Sequence, residues 1–277
     1  MRLVKYMVRT FLTNKYIWGW GVAFAVFWEV MGAYVFSSQV PDQKLPAIYY
    51  GGAWAGELVL NSLSAVSIST TFMLTYQTGA LPHLFRFSKM SSAHYTAGVY
   101  AGTLAVGSSA QAITLGLLSL TFSDKFDLPV YPVDPSALVG VVVLTAVFMT
   151  SLSFVLQVLV ARASRKLSNL TSFVPLILTY GFSFSYLYLK LGELTYLSPF
   201  TALEALLVRS YVGTQVPLNF ALILDNYSST GRLDVVTPLS PTLAVLSALG
   251  WTAVLTLVGT LGARNLYYKP LEEGRIA

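Results

Sequence analysis

Residues 137–160 read ALVGVVVLTAVFMTSLSFVLQVLV, without a single charged side chain. A helix needs about 20 mainly apolar residues to cross the roughly 30 Å of hydrocarbon in a bilayer. This stretch is therefore long and apolar enough to span a membrane as one helix.

Five further stretches follow the same pattern: Tyr16–Phe36, Tyr50–Leu74, Tyr95–Phe122, Leu170–Leu189 and Pro241–Gly262. The second is the most polar, because Asn61 and several serines and threonines interrupt it. Its glycines and other small residues favour close packing between helices. Six spans predict an all-α membrane protein with a single transmembrane domain over residues 1–277.

The composition supports a membrane protein. Only 10% of the 277 residues are charged, whereas soluble proteins carry about 25%. The 17 Tyr, 16 Phe and 5 Trp residues suit the interface between lipid and water. The chain has no cysteine, which excludes disulfides, thiolate metal sites and cysteine catalysis.

The basic residues predict the orientation, because cytoplasmic loops of membrane proteins are enriched in Lys and Arg. Six crossings with a cytoplasmic N-terminus place most of them inside: Arg2, Lys5, Arg9, Lys15, Arg86, Lys89, Arg162, Arg165, Lys166, Arg264, Lys269 and Arg275. The others fall outside: Lys44, Lys125, Lys190, Arg209 and Arg232. We expect a multi-pass protein of the cytoplasmic membrane with both termini in the cytoplasm.

Residues 1–15 precede the first span and are amphipathic at helical spacing. One face carries Arg2, Lys5, Arg9 and Thr13, and the opposite face carries Val4, Met7, Val8 and Phe11. This pattern predicts a helix in the plane of the membrane, with its cations toward lipid phosphates. The alternative is a basic leader that only sets the topology.

The loop over residues 77–94 is unusually apolar for a cytoplasmic connector. It contains Leu81, Leu84, Phe85 and Phe87 beside Arg86 and Lys89. Proline is tolerated in the first turn of a helix, so a short helix over Pro82–Phe87 is expected. Exposed apolar residues rimmed by charge favour a partner-binding site, and an interfacial helix lying on lipid is the alternative.

Residues 191–240 differ from the other loops. Leu191–Val212 is mostly apolar but contains Pro199, Glu193, Glu204 and Arg209. It is too polar to span easily and too apolar for a free loop, so we predict re-entrant helices covered by their neighbours. Residues 213–240 are predicted to be an external loop, in which Asn226-Tyr227-Ser228 is a glycosylation acceptor pattern or a chance match.

Catalytic signatures are missing from the sequence: it has no phosphate-binding loop, no serine-hydrolase elbow and no zinc-protease helix. His83 and His94 share one loop, where solvated histidines are a simpler interpretation than a metal site. We therefore expect no enzymatic activity, no metal and no cofactor in this chain. Nothing in the sequence indicates nucleic acid as a partner.

Glu29 and Glu57 are the acids inside the predicted spans. A carboxylate in hydrocarbon is costly unless it faces the protein interior, so such residues are functional candidates by default. Glu57, Glu29 and Asn61 are the predicted translocation path. The alternative for Glu29 is a position near the headgroups or at the end of a neighbouring helix. Aromatic residues of the fifth stretch suit an amphipathic cargo or ordinary packing: Tyr180, Phe182, Phe184, Tyr186 and Tyr188.

Two motifs carry a resemblance to a known family. The second loop runs Gly79-Ala80-Leu81-Pro82-His83-Leu84, then Ser91-Ser92, then Tyr95-Thr96-Ala97-Gly98, and the fifth stretch is followed by Leu197-Ser198-Pro199-Phe200-Thr201-Ala202-Leu203-Glu204-Ala205-Leu206. In their order along the chain, these motifs resemble the membrane subunit of type-2 ATP-binding-cassette exporters. Pro82 stands where that family often has a glutamate, and Ser198 where it has an asparagine.

The resemblance implies a permease subunit that pairs with a second copy or a homologous permease. A separate ATPase subunit, with its ATP and Mg²⁺, would dock on a coupling helix made of Leu81, Pro82, His83, Leu84, Phe85, Arg86 and Phe87. Pro199 and Glu204 would belong to the re-entrant region.

Two other hypotheses remain open on the sequence. One is a secondary transporter or channel in which Glu29 or Glu57 takes up ions. The other is a non-transporting membrane subunit or an intramembrane enzyme.

Overall fold

The computed structural model describes residues 2–78, 81, 85, 87, 90–161, 170–221 and 237–267. Within these residues the chain is helical, and the only β-type pairing is an isolated bridge between Pro217 and Pro238. The helices are α1 (Arg2–Leu12), α2 (Phe24–Tyr34), α3 (Lys44–Gln77), α4 (Ser92–Phe126), α5 (Pro135–Val160), α6 (Val174–Tyr188), α7 (Pro199–Val212) and α8 (Pro241–Tyr267). A π-helical segment, Ile17–Ala23, leads into α2, and short 3₁₀ turns cover Phe36–Gln39 and Gly192–Tyr196.

Five helices of the described part of the chain are long and apolar enough to cross a membrane: Ile17–Ser38, Lys44–Gln77, Ser92–Phe126, Pro135–Val160 and Pro241–Ala263. Each overlaps one of the stretches predicted from the sequence. An all-helical chain with several such helices is what a membrane protein requires, since a helix satisfies its own backbone in lipid.

The fifth predicted span is the exception. Instead of covering Leu170–Leu189, α6 has 15 residues, which corresponds to about 22 Å and is shorter than the hydrocarbon layer. Phe173 makes a turn just before it, and Pro175 occupies its first turn. The described helices therefore do not confirm six crossings.

The apolar face of α1 packs against protein. Met7 and Phe11 are buried and form a ridge along α1. Gly98 and Gly102 of α4 provide the space for this ridge. Leu3 joins the ridge, because its Cγ would lie 3.6 Å from a Cβ placed on Gly98. The sequence put Val4 on this face, but Val4 is 38% exposed. Val4 lies beside the partly buried Leu3 and the buried Met7 and Phe11, which occupy i, i+4 and i+8 positions.

Three long helices run in the same direction. Thr256 of α8 bonds to Ser151 of α5 at 2.9 Å, and a Cβ on Gly259 would lie 2.8 Å from Cβ of Phe154. The two helices therefore run parallel and in very close contact. Ser67 of α3 bonds to Ser153 at 2.8 Å and Thr78 to Gln157 at 3.1 Å, so α3 runs parallel to them.

Residues 189–213 enter the bundle and leave it at the same end. The carbonyl of Leu197 accepts a hydrogen bond from Nε1 of Trp251 at 3.0 Å, about 15 Å along α8 from Pro241. From there α7 runs back, and the carbonyl of Ser210 accepts from the backbone N–H of Asp134 at 3.3 Å, at the start of α5. Almost every residue of α7 is buried, so its backbone is enclosed by neighbouring helices.

The loop between α3 and α4 is described in part. Leu81 is 2% exposed, Phe85 is half-buried and Phe87 is 81% exposed. Pro82, His83, Leu84 and Arg86 of the predicted coupling helix lie outside the described residues, as does the acceptor Asn226. His94 lies in the first turn of α4, where its backbone N–H donates to Oγ of Ser91 at 3.3 Å.

Asp134 caps the N-terminus of α5. Its Oδ1 accepts hydrogen bonds from the N–H of Ala137 at 2.9 Å and from the hydroxyl of Ser136 at 2.7 Å. These bonds, the first above all, hold the pKa of Asp134 below the usual 3.8. Pro135 follows as the first helical residue, where its missing N–H costs nothing.

We expect Asp134→Ala to lower the melting temperature slightly at pH 7, whereas Asp134→Asn keeps the cap because asparagine is an equally good N-cap residue. Because folding lowers the pKa of Asp134, its ionised form stabilises the fold above pH 3.8, and this contribution is lost as pH falls through the folded value. Thermal unfolding in detergent at several pH values should show the Ala variant approaching the wild type in acid. An unchanging difference would contradict this.

Candidate functional site

A line of buried polar side chains follows one side of α3. Glu57, Asn61 and Ser64 succeed one another at helical spacing and are all buried, and the line continues through Ser67, Thr71 and Thr78. Residues at i, i+4 and i+7 lie on one face of a helix. Because buried polar groups need hydrogen-bond partners, this face is where α3 meets other polar helices.

The first part of the line pairs with α6. The hydroxyl of Ser183 donates to Oε2 of Glu57, and Nδ2 of Asn61 donates to the hydroxyl of Tyr180 at 2.6 Å. One turn further, the hydroxyls of Ser64 and Thr179 lie 2.6 Å apart. We call these three pairs the α3–α6 seam.

The second part of the line pairs with α5. The hydroxyl of Ser67 donates to the carbonyl of Met149 at 3.1 Å and also contacts Ser153. Nε2 of Gln157 donates to Oγ1 of Thr78 at 3.1 Å and to the carbonyl of Leu74. The buried polar side of α3 is thus shared between two helices.

Glu204 of α7 reaches the same region from the opposite direction. Its side chain is fully buried, and its carboxyl group lies over Gly56, where a Cβ would come within 2.5 Å of Oε1. Only a glycine at position 56 leaves this space, so α3 and α7 approach closely there. Gly51 and Gly52 open the same contact further along, facing Tyr211 and Val212.

The carboxyl groups of Glu57 and Glu204 are neighbours at this crossing, because that of Glu204 lies over Gly56, the residue before Glu57. Glu57 lies close enough for its charge to act on Glu204, and Ser183 lies beside both. Among the residues that the structure describes, Oε1 of Glu57 and both oxygens of Glu204 have no partner in hydrogen-bond geometry. Ser183 has a single proton to donate, and its geometry directs that proton to Glu57.

Glu29 lies elsewhere in the bundle. It is fully buried on α2, and its Oε1 accepts a hydrogen bond from Oγ1 of Thr121 on α4 at 2.8 Å. Glu57 bonds to α6 instead, so the two acids predicted to share a translocation path bond to different helices. Of the predicted path, Asn61 and Glu57 are adjacent in the seam.

The aromatic residues of α6 divide into two faces. Tyr186 is fully buried, and its hydroxyl donates to the carbonyl of Pro217 at 3.1 Å. Phe182 stacks on Phe200 of α7, with ring centroids 6.1 Å apart. The other face carries a continuous series in which Phe184 stacks on Tyr180 and contacts Tyr188. Packing thus explains two of the five aromatic residues.

Sequence reasoning missed that Glu204 lies beside Glu57. The sequence predicts Glu204 in the re-entrant region without a partner, and it does not single out Ser183. One local signal was available, because an acid in a short apolar helix needs a buried partner and Gly56 immediately precedes Glu57 in a glycine-rich stretch.

Comparison with protein-family models finds no family that matches the chain, and comparison with curated proteins finds no match either.

Proposed function

We propose that this chain is the membrane-spanning permease subunit of a transporter, of the type-2 ATP-binding-cassette exporter kind, driven by a separate ATPase. The observation that carries the proposal is the hairpin formed by α3 and α4. These helices have 34 and 35 residues, roughly 51 and 52 Å, against about 30 Å of hydrocarbon. Both are long enough to extend well beyond the membrane.

The connection between α3 and α4 is the proposed coupling segment. Leu81 is buried and would anchor it, while Phe87 is largely exposed and would meet the ATPase. Phe85 lies between them and its ring contacts that of Tyr95 at the start of α4, with centroids 6.3 Å apart. Movement of the ATPase would then act directly on the ends of α3 and α4.

The excursion over residues 189–213 supports the same proposal. We place it in the membrane as a re-entrant segment, with Pro199 at its inner turn and α7 returning with Glu204. Buried backbone of this kind is tolerated in a membrane only where protein covers it, and α7 meets that condition. With α6 as a further crossing, both termini would lie in the cytoplasm, as the basic residues predict.

The proposed translocation path follows the α3–α6 seam. Its hydroxyl, amide and carboxyl groups can exchange their mutual hydrogen bonds for bonds to a polar cargo or to water. Tyr180, Phe184 and Tyr188 on the adjoining face of α6 would offer an apolar surface beside it. A second permease copy facing the seam would complete the path.

The proposal is tested by purifying the tagged chain from its own membranes in mild detergent. We expect an ATPase subunit to co-purify and to hydrolyse ATP with Mg²⁺. Phe87→Ala should reduce the amount of this subunit several-fold, because it removes an exposed aromatic contact of the kind that dominates interfaces. Tyr131→Ala is the matched control, since Tyr131 is an exposed aromatic residue at the opposite end of the bundle.

Two results would contradict the proposal. One is a wild-type chain that purifies without ATPase activity yet transports cargo in vesicles. The other is equal loss of the ATPase subunit in the Phe87 and Tyr131 variants.

An ion-driven secondary transporter or channel is the second candidate. It is favoured by the buried carboxyl groups of Glu29 and Glu57. It predicts transport that follows an imposed ion gradient in vesicles containing this chain alone.

A further inference from the structure

Four carboxylate oxygens of Glu57 and Glu204 share a buried site with a single hydrogen-bond donor. Glu57 is 5% exposed and Glu204 is 0% exposed. Ser183 donates to one oxygen of Glu57, and the remaining three have no partner within the described part of the chain. A buried acceptor without a donor is costly. The pair therefore has too few hydrogen-bond donors for its oxygens.

In the part of the chain that the structure describes, no basic residue acts on the pair. Between Pro135 and Val160, α5 has no ionisable residue, and α8 has none before Arg264. Among the described residues, the ionisable groups that lie near the pair are the phenols of Tyr180 and Tyr186 on α6. The cations nearest along α3 and α7 are Lys44, about 20 Å away along the helix, and Arg209, whose side chain is exposed.

Two neighbouring carboxylates cannot both keep a negative charge in a buried site that lacks a cation, because desolvation and mutual repulsion both oppose it. Pairs of this kind share one proton. A protonated carboxyl group is a donor as well as an acceptor. A single proton therefore removes one charge and supplies a hydrogen bond between two oxygens that otherwise have no partner.

We propose that Glu57 and Glu204 form a binding site for one proton, which bridges the two carboxyl groups and ties α7 to α3. The site does not depend on the ATPase proposed above, and its test uses the purified chain without that partner.

The site links protonation to the position of α7. With the proton bound, the pair attracts and α7 stays against Gly56. Without it, two like charges face each other and favour separation of α7 from α3. α7 would then respond to the pH of whichever compartment can reach the pair.

Infrared spectroscopy of the purified chain tests the proposal. The wild type at pH 7 should show the C=O stretching band of a protonated carboxyl group, and the E57Q/E204Q double variant should lack an intensity equal to one such group. The control is Glu193→Gln, which changes an exposed acid and should leave the band intact. Identical bands in the wild type and the double variant would overturn the proposal.

A second measurement does not require the double variant to fold. In Glu29→Gln protein, which lacks the other buried acid of the described residues, the band should remain at pH 7 and disappear as the pH is raised. It should be indifferent to exchange of sodium for choline. A missing band at pH 7, or carboxylate bands that shift when sodium is removed, would show that the site does not hold a proton.

Discussion

Replacement of Gly56 by alanine is expected to destabilise the protein by about 1–3 kcal/mol, the usual cost of forcing extra volume into a packed interior. The new Cβ would lie 2.5 Å from Oε1 and 2.7 Å from Cδ of Glu204. A carboxyl group normally moves aside easily, but this one is fully buried. The strain should therefore separate α7 from α3 and, under the proposed function, abolish transport. Unfolding in detergent measures the first effect, and uptake into vesicles measures the second.

Gly181→Ala is the matched control for Gly56→Ala. Gly181 lies on α6 with nothing within 4 Å of an added Cβ, so the substitution should leave stability equal or higher, because alanine favours helix more than glycine does. In a Glu204→Ala background the cost of Gly56→Ala should fall, since the colliding carboxyl group is gone. Equal stability of the Gly56 and Gly181 variants would contradict the close approach of α3 and α7.

Replacement of Gly102 by alanine is expected to lift α1 away from α4. The added Cβ would collide with the ring of Phe11 and lie 3.3 Å from the backbone carbon of Met7. Phe11 is 1% exposed, so its ring has no free space to enter. We expect a loss of about 1–3 kcal/mol, measured by unfolding. Gly116→Ala on the same helix is the control, because nothing lies within 4 Å of its Cβ.

Cysteine labelling shows directly whether α1 has moved. The chain contains no cysteine, so Met7→Cys introduces the only thiol. Met7 is buried under α4, and labelling should be slow in this background and many-fold faster once Gly102→Ala is added. Unchanged labelling, together with unchanged stability, would mean that α1 does not rely on Gly102.

The long helices could be predicted from the sequence because apolar length alone identifies them. Residues 137–160 and Pro241–Gly262 need no knowledge of their neighbours to be recognised as spans. α6 shows where this reasoning ends, because Leu170–Leu189 is mostly apolar but its helical structure is interrupted at Phe173, and α6 begins at Val174. A turn at Phe173 and the proline at 175 interrupt the stretch. The hydropathy of the stretch predicts neither interruption.

The candidate site was predictable residue by residue but not as a pair. Glu57 and Asn61 were identified because polar groups in an apolar stretch are costly. Their partners Ser183 and Tyr180 lie more than a hundred residues later, and no local pattern selects them. The meeting of Glu57 with Glu204 depends on where α7 enters the bundle, which is a property of tertiary packing.

The packing of α8 on α5 has a consequence for how the molecule can change shape. At Gly259 an added Cβ would lie 3.1 Å from the backbone nitrogen of Val155, so the two main chains nearly touch and neither can slide without a collision. The α3–α6 seam, in contrast, consists of side-chain groups that water can replace one by one. We therefore expect α5 and α8 to move together as one rigid body. A conformational change would instead separate α3 from α6 along the seam.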